Sequence, residues 1–327
     1  MKALVFEKPF QAVIREMPYP KPGKGEVTIR VERVGVCGTD HHIYQGEFIS
    51  PYPIIPGHEF AGYIHEVGEG VAGLQPGQRV SADPSLFCGI CEYCMTNRGN
   101  QCQQWGALGN TVHGAMAEYV VVPAKNVVVL PDHLSMEEGA FAEPLACVVH
   151  ALNRLQLQSG ERVVIFGAGA MGQQLVQAIA HAGASDLTVV DISEAKLKLA
   201  MENGATRGVL FDELGNETFD VVVEATGIAE VAQRALSHMG RTAKYLQFGV
   251  VPPHTKLTID PFRLYNEDWT ILGSMAINHT FIPAFRWLSS GRFNLKPLIS
   301  KVISLDEAPE FFKNPRNPDW FKVQIKI

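Results

Sequence analysis

Residues 163–172 read VVIFGAGAMG. The apolar run Val163 to Phe166 ends in Gly167-x-Gly169-x-x-Gly172, and AMGQQLVQAIAHAG then follows with helical spacing. A strand that turns through glycines into a helix is the context in which this triplet binds a dinucleotide. The first glycine permits the tight turn, the second lets a pyrophosphate approach the backbone, and the third lets the helix pack close. The helix N-terminus favours the phosphate charge. Asp191 ends the next strand-like run, DLTVVD, nineteen residues after Gly172. A carboxylate there accepts from both ribose hydroxyls and repels a 2′-phosphate, so the expected cofactor is NAD rather than NADP. Lys196 is the nearby cation that could tolerate such a phosphate.

The same rhythm extends toward residue 274. SEAKLKLAMENG reads as a helix with Ser193 as N-cap and Gly204 as its stop, and FDVVVEATG, EVAQRALSHMG and KYLQFGVV keep the alternation going. Strand, helix, strand in sequence predicts an α/β unit with a doubly wound parallel sheet over 144–274. Before residue 143 the texture differs. EVTIRVERVGV, GYIHEVGEG and AEYVVVP are short β-type runs broken by Pro and Gly, which predicts a β-rich domain. After 274 the pattern is mixed and closes on the strand-like VQIKI. A chain of 327 residues suits two such domains.

Composition narrows the class of function. Hydrophobic residues make up 46% and charged ones 19%, as in a folded globular protein. A formal charge of −6 gives no basic surface for nucleic acid or an anionic membrane. No apolar run approaches the roughly 20 residues that span a bilayer, and MKALVFEKPF, with a glutamate and a proline in it, is not expected to act as a secretory leader. The expected compartment is the cytoplasm, where thiols stay reduced and clustered cysteines point to metal.

Such a cluster occurs at CGICEYCMTNRGNQC, with Cys88, Cys91, Cys94 and Cys102. Four thiolates suit a tetrahedral zinc. The compact iron–sulfur pattern would close with C-x3-C-P, whereas seven residues precede Cys102 here and Gln103 follows it. Four sulfurs leave no open position, so this site is read as structural and a reacting metal is expected elsewhere. VCGTDHH at 36–42 and PGHEF at 56–60 offer Cys37, His58 and Glu59; FAEPLAC at 141–147 offers Glu143, a carboxylate that is costly to bury unless paired or bound to metal.

Cys37-Gly38-Thr39-Asp40, Gly57-His58-Glu59, the cysteine lobe, Glu143-Pro144 and the late glycine motif occur in an order that resembles the zinc-dependent medium-chain dehydrogenases. The likeness covers essentially the whole chain and is greatest to the polyol (sorbitol-type) and threonine dehydrogenase branch. It implies a GroES-like catalytic domain at 1–143 completed by 275–327, a Rossmann domain at 144–274, and a cleft between them. It further implies two zinc ions per chain, a small-molecule alcohol as substrate, and a homodimer or homotetramer. Carried over by position, Cys37 and His58 ligate the catalytic zinc. Glu59 and Glu143 both stand for the third position, directly or through a bound water. Asp40 orients the ligand histidine, and Thr39 and His42 relay the proton. Gly167, Gly169, Ala170, Met171, Gly172, Asp191, Lys196, Thr226, Phe248 and Gly249 follow the cofactor. His41 and His65 are read as surface or packing residues, and Cys147 and Trp105 as packing.

The implied reaction interconverts a secondary alcohol and its ketone by hydride transfer. Sorbitol-type enzymes often carry an arginine where Ala276 stands, which puts sorbitol itself in doubt and leaves other polyols, sugar-derived acids, phosphorylated polyols and a 3-hydroxy amino acid such as threonine. Asn278 and His279 nearby are expected in a solvated loop. Two other classes stand against this reading. A nucleic-acid zinc module is opposed by the single basic residue, Arg98, between Cys88 and Cys102. A non-catalytic structural or sensor protein of the same fold would have no need to keep open-site ligands.

Overall fold

The computed structural model describes residues 1–314 and 317–327. The chain forms two compact units, Met1–Ala146 with Ile277–Ile327, and Cys147–Ala276.

The first unit is built on a seven-stranded sheet. Its path runs Ile299–Ser304, Lys322–Lys326, Glu26–Gly35, Glu59–Val67, Arg79–Ala82 and Val127–Val129, and Tyr119–Pro123 pairs with Glu26–Gly35 off that path. Glu26–Gly35 is the spine. Its first half pairs with Tyr119–Pro123 and its second half with Lys322–Lys326, both antiparallel, while Glu59–Val67 lies along its other edge. Val27, Ile29, Val31 and Val34 of this spine enter a core shared with Phe6, Ile54, Phe60 and Ile64. Burying each such side chain contributes about 1.5–3 kcal/mol relative to exposure. The register places Gly35 opposite Glu59 on one side and opposite Gln324 on the other. The chain ends of three strands, near Cys37, Glu59 and Lys322, are thereby drawn together.

The second unit carries six parallel strands in the order Arg207–Leu210, Asp186–Asp191, Arg162–Phe166, Phe219–Glu224, Met239–Gln247, Thr270–Gly273. Counted along the chain within the unit, this is the 3-2-1-4-5-6 arrangement of a dinucleotide-binding sheet. The inner strands are continuous apolar runs because both faces are covered: Val163 to Phe166 and Val221 to Val223 are at most 1% exposed. Helices Ala170–Ala182, Glu194–Glu202 and Ala229–Ala235 supply the connections. Ser193 takes the N-cap position of Glu194–Glu202, but its side chain makes no cap bond. Asp191 Oδ1 accepts from Ser193 N–H at 3.0 Å instead, so the acid and not the serine shapes this turn. That helix ends at Glu202, and Gly204 just beyond has φ +111°.

Candidate functional site

Helix Gly38–Gln45 begins directly after Cys37, which is its N-cap residue. The Asp40 carboxylate folds back over this turn: Oδ2 accepts from Cys37 N–H at 2.8 Å. Its other oxygen, Oδ1, accepts from Gly57 N–H at 3.2 Å, and Gly57 precedes His58. One fully buried side chain thus fixes the backbone of both ligand segments. Sequence reasoning assigned Asp40 to orienting the histidine ring. The ring nitrogen Nδ1 of His58 does face Asp40 Oδ1, at 3.7 Å, which is longer than a hydrogen bond. Asp40 therefore holds the two turns, and faces the ring without bonding it.

Ligand atoms of Cys37, His58 and Glu59 lie within 4.8 Å of one another. Thiol, imidazole and carboxylate form a donor set suited to zinc. His58 Nδ1 is buried facing Asp40 and makes no hydrogen bond of its own, which leaves Nε2 as the ring's other donor for a metal. Burial alone would lower the His58 pKa, but Asp40, Cys37 and Glu143 outweigh it and raise it well above the usual imidazole value. Burial also pushes Asp40 upward, against the opposing pull of His58. The pocket is electrostatically built for positive charge, and the residues fit the metal.

The two candidate carboxylates are placed differently. Glu59 belongs to the clustered set, whereas Glu143 stands outside it, buried in the first turn of helix Ala142–Leu155. The charge of Glu143 still acts on His58 and on Lys322. Glu59 Oε1 is 2.8 Å from Lys322 Nζ, both side chains being buried. A Cβ at Gly35 would come within 2.2 Å of Glu59 Oε2, so only glycine at that position admits this carboxylate. Burial works against charge on Lys322, yet Glu59 and Cys37 outweigh it and hold its pKa above the usual lysine value. Lys322 escaped sequence reasoning. The one signal for it was a lysine opening an otherwise strand-like run near the end of the sequence.

Thr39 Oγ1 accepts from Cys37 Sγ at 3.7 Å. His42, three residues on and on the same helix, has Nδ1 2.7 Å from Glu47 Oε2 at the surface. His41 packs on Phe311 and Phe312, and His65 on Tyr19 and Tyr119. Cys147 is half-buried on the Glu143 helix.

The four cysteines of the lobe gather as one set. Cys88 and Cys94 sulfurs are 3.9 Å apart and Cys91 and Cys102 sulfurs 4.0 Å. A tetrahedron with metal–sulfur bonds of about 2.3 Å has edges of about 3.8 Å, so zinc fits. Backbone N–H groups of Cys94 and Gln103 on the Cys91 sulfur lower its pKa to about 6, and the N–H of Cys88 lowers that of Cys102. Asn278 and His279 lie in the loop expected of them, Asn278 half-buried and His279 exposed, and both make contacts to the cysteine lobe. Asn278 Nδ2 donates to Asn97 O at 3.0 Å, and His279 packs edge-on against Phe87, so both brace the cysteine lobe. Trp105 Nε1 is buried without a hydrogen-bond partner. Ala276 adopts φ +50°.

In the second unit the glycine loop meets its three requirements separately. Gly167 has φ +105°, and a Cβ there would meet Thr226 Cγ2 at 2.9 Å. Gly172 admits no Cβ, which would lie 2.0 Å from Gly167 O. A Cβ on Gly169 would meet nothing within 4 Å, leaving its face open to a ligand. Ala170 and Met171 begin helix Ala170–Ala182. Asp191 Oδ2 accepts from Ala168 N–H at 2.7 Å, so the acid that would take the ribose also fixes the loop. Gln173 Nε2 donates to Lys196 O at 2.9 Å and ties that segment to the same loop.

Thr226, Phe248 and Gly249 are organised by Glu224, which sequence reasoning passed over. This fully buried carboxylate accepts from Thr226 N–H at 2.6 Å, from the Thr226 hydroxyl, and from Gln247 Nε2 at 2.6 Å. Its carbonyl accepts from Phe248 N–H and Gly249 N–H. The signal was present as a charged residue ending the run VVVE.

Comparison with known proteins fits this geometry. The sequence model of the alcohol dehydrogenase GroES-like domain matches residues 23–132, and that of the zinc-binding dehydrogenases matches residues 170–290. D-arabinitol dehydrogenase 1 of Uromyces fabae is 30% identical, over 100% of this chain and 97% of its own length. D-altritol 5-dehydrogenase of Agrobacterium fabrum is 32% identical over 99% of each chain. The crystal structure of a putative zinc-binding dehydrogenase from Sinorhizobium meliloti, bound to NADP, superposes with a TM-score of 0.96 at 33% identity, over 100% of this chain and 99% of that one. The chain belongs to the zinc-dependent medium-chain alcohol dehydrogenases, with a GroES-like and a Rossmann domain, and it is an oxidoreductase acting on CH–OH groups. Among the described residues no helix is long and apolar enough to cross a membrane.

Proposed function

We propose that the chain oxidises a secondary hydroxyl of an acyclic polyol to the ketone, with NAD as acceptor and Cys37, His58 and Glu59 as the protein ligands of the catalytic zinc. The observation that carries this reading is the gathering of those three donors within 4.8 Å of one another, His58 and Glu59 buried and Cys37 half-buried. When bound, the zinc supplies Lewis acidity toward a substrate hydroxyl and NAD supplies the hydride acceptor. Thr39 holds its hydroxyl beside Cys37, where it takes up the substrate proton and passes it to His42, and Glu47 steadies the charged imidazole. Glu143 adds negative charge and orients water near the cluster. Gly169 and Asp191 seat the pyrophosphate and ribose, and the Asp191 carboxylate selects against a 2′-phosphate. The names of the relatives, which act on arabinitol and altritol, favour a polyol.

The four-cysteine lobe holds the second zinc. The protein works in the cytoplasm as a homodimer or homotetramer. Strand Thr270–Gly273 is a largely exposed sheet edge, with Tyr265 81% and Phe262 68% exposed on the helix before it, and such an edge is a template for pairing with a second copy.

The test is NADH formation across five- and six-carbon polyols, their phosphates, sugar acids and threonine, with NADP as the alternative acceptor. Polyol turnover with NAD is expected. Turnover of threonine alone, or preference for NADP, overturns the substrate or cofactor assignment, and a zinc-loaded chain that oxidises no secondary alcohol overturns the whole reading. Light scattering of the purified chain tests the assembly, and a monomeric mass rejects it.

A further inference from the structure

Lys322 opens strand Lys322–Lys326 and reaches under both metal-binding segments. Its ammonium donates to Glu59 Oε1 at 2.8 Å and to the carbonyl of Val36 at 3.2 Å. Glu59 is itself the third proposed ligand and Val36 adjoins Cys37, so one lysine touches one ligand directly and the residue before another. Lys322 is 5% exposed and Glu59 is 1% exposed. A buried ammonium is costly, and it persists only where a counter-charge and hydrogen bonds compensate it. The position of Val36 is itself fixed by the same strand, since its N–H donates to Val323 O at 2.9 Å.

The charge balance gives this pair a purpose. A zinc-bound cysteine is a thiolate. The Cys37 thiolate and the Asp40, Glu59 and Glu143 carboxylates then place negative charge around the site in excess of the two positive charges on the metal. Lys322 supplies a further positive charge that offsets part of this excess. It also engages Oε1 of Glu59, which favours the other oxygen, Oε2, for the metal over chelation through both.

We propose that Lys322 is a positioning residue of the catalytic metal centre, favouring single-oxygen ligation by Glu59 and offsetting part of the pocket's negative charge. This rests on the reading of Glu59 as the third ligand, and the test separates the two. The full chain is loaded with cobalt(II), and the absorption of the catalytic site is obtained by subtracting that of C37S, which keeps only the four-cysteine site. Two cobalt ions per wild-type chain are expected, and a single one would reject the ligand assignment before Lys322 is considered. With two bound, K322M should either lose the catalytic cobalt or shift its spectrum toward higher coordination, and kcat/KM should fall about 10–100-fold. K322R should restore the wild-type spectrum. If K322M does not fold, K322Q keeps a donor without the charge and is read in the same way. Full cobalt occupancy with an unchanged catalytic-site spectrum in the uncharged variant overturns the proposal.

Discussion

Asp40 accepts the N–H of Gly57 at 3.2 Å, and so couples the turn before His58 to the turn that carries Cys37. Substituting D40N keeps the shape but turns one acceptor into a donor facing an N–H. Zinc content should fall from two toward one per chain, and kcat/KM should drop about 10–100-fold, as for other groups that hold metal ligands in place. Metal analysis of the purified variant checks this. Retention of two zinc ions would show that the turns hold without the carboxylate.

The glycines of the loop should fail in different ways. In G169A the new methyl meets no protein atom within 4 Å and φ is −69°, so folding should be unaffected. Its NADH affinity should nonetheless weaken by about tenfold or more, or about 1.4 kcal/mol. In G172A the methyl runs into Gly167 O, and the unit should lose about 1–3 kcal/mol of stability as well as cofactor. Denaturant unfolding and NADH fluorescence titration, run side by side, separate the two outcomes.

C91S should remove the lobe's zinc and leave the catalytic one. One zinc per chain, a lower unfolding temperature and a surviving fraction of activity are expected, because the lobe's metal contributes folding energy and not chemistry. Complete loss of both ions would mean that the two sites are not independent.

Arg207 forks onto Glu217 at 3.0 and 2.7 Å, and this pairing lowers the Glu217 pKa below the ordinary carboxylate value. A lowered folded-state value makes the contribution present above the unfolded-state pKa and lost as pH falls through the folded one. Both side chains are about two-fifths exposed, so the pair is worth no more than about 1 kcal/mol and shrinks with salt. E217Q should flatten the acid limb of the stability curve by that amount at low ionic strength. A wild-type limb in E217Q would mean that the pair adds nothing.

The fold was legible because each half of the chain repeats its own period. Val163 to Phe166 and Asp186 to Asp191 are apolar runs followed by helical spacing, and a parallel sheet covered on both faces demands that pattern. Cys37, His58 and Glu59 were legible as residue types in glycine-flanked turns. What could not be read was who meets them. Lys322 lies 263 residues from Glu59 along the chain, and no local pattern encodes a contact of that span. Glu224 was hidden because its partners, Thr226 and Gln247, are unremarkable polar residues until two strand ends bring them together. Asn278 was legible as a loop residue, but its partner Asn97 in the cysteine lobe was not.

The spine strand Glu26–Gly35 waits for a neighbour that is made late. Lys322, which supports Val36, follows it by 286 residues. At a synthesis rate of 5–20 residues per second, that interval is roughly 15 to 60 s. The whole of Cys147–Ala276 emerges within it and has time to fold first. During that delay half of one edge of the spine is unpaired, and Glu59 has no counter-ion. The spine's edge and the surroundings of Glu59 are therefore completed only when the strand Lys322–Lys326 has been made.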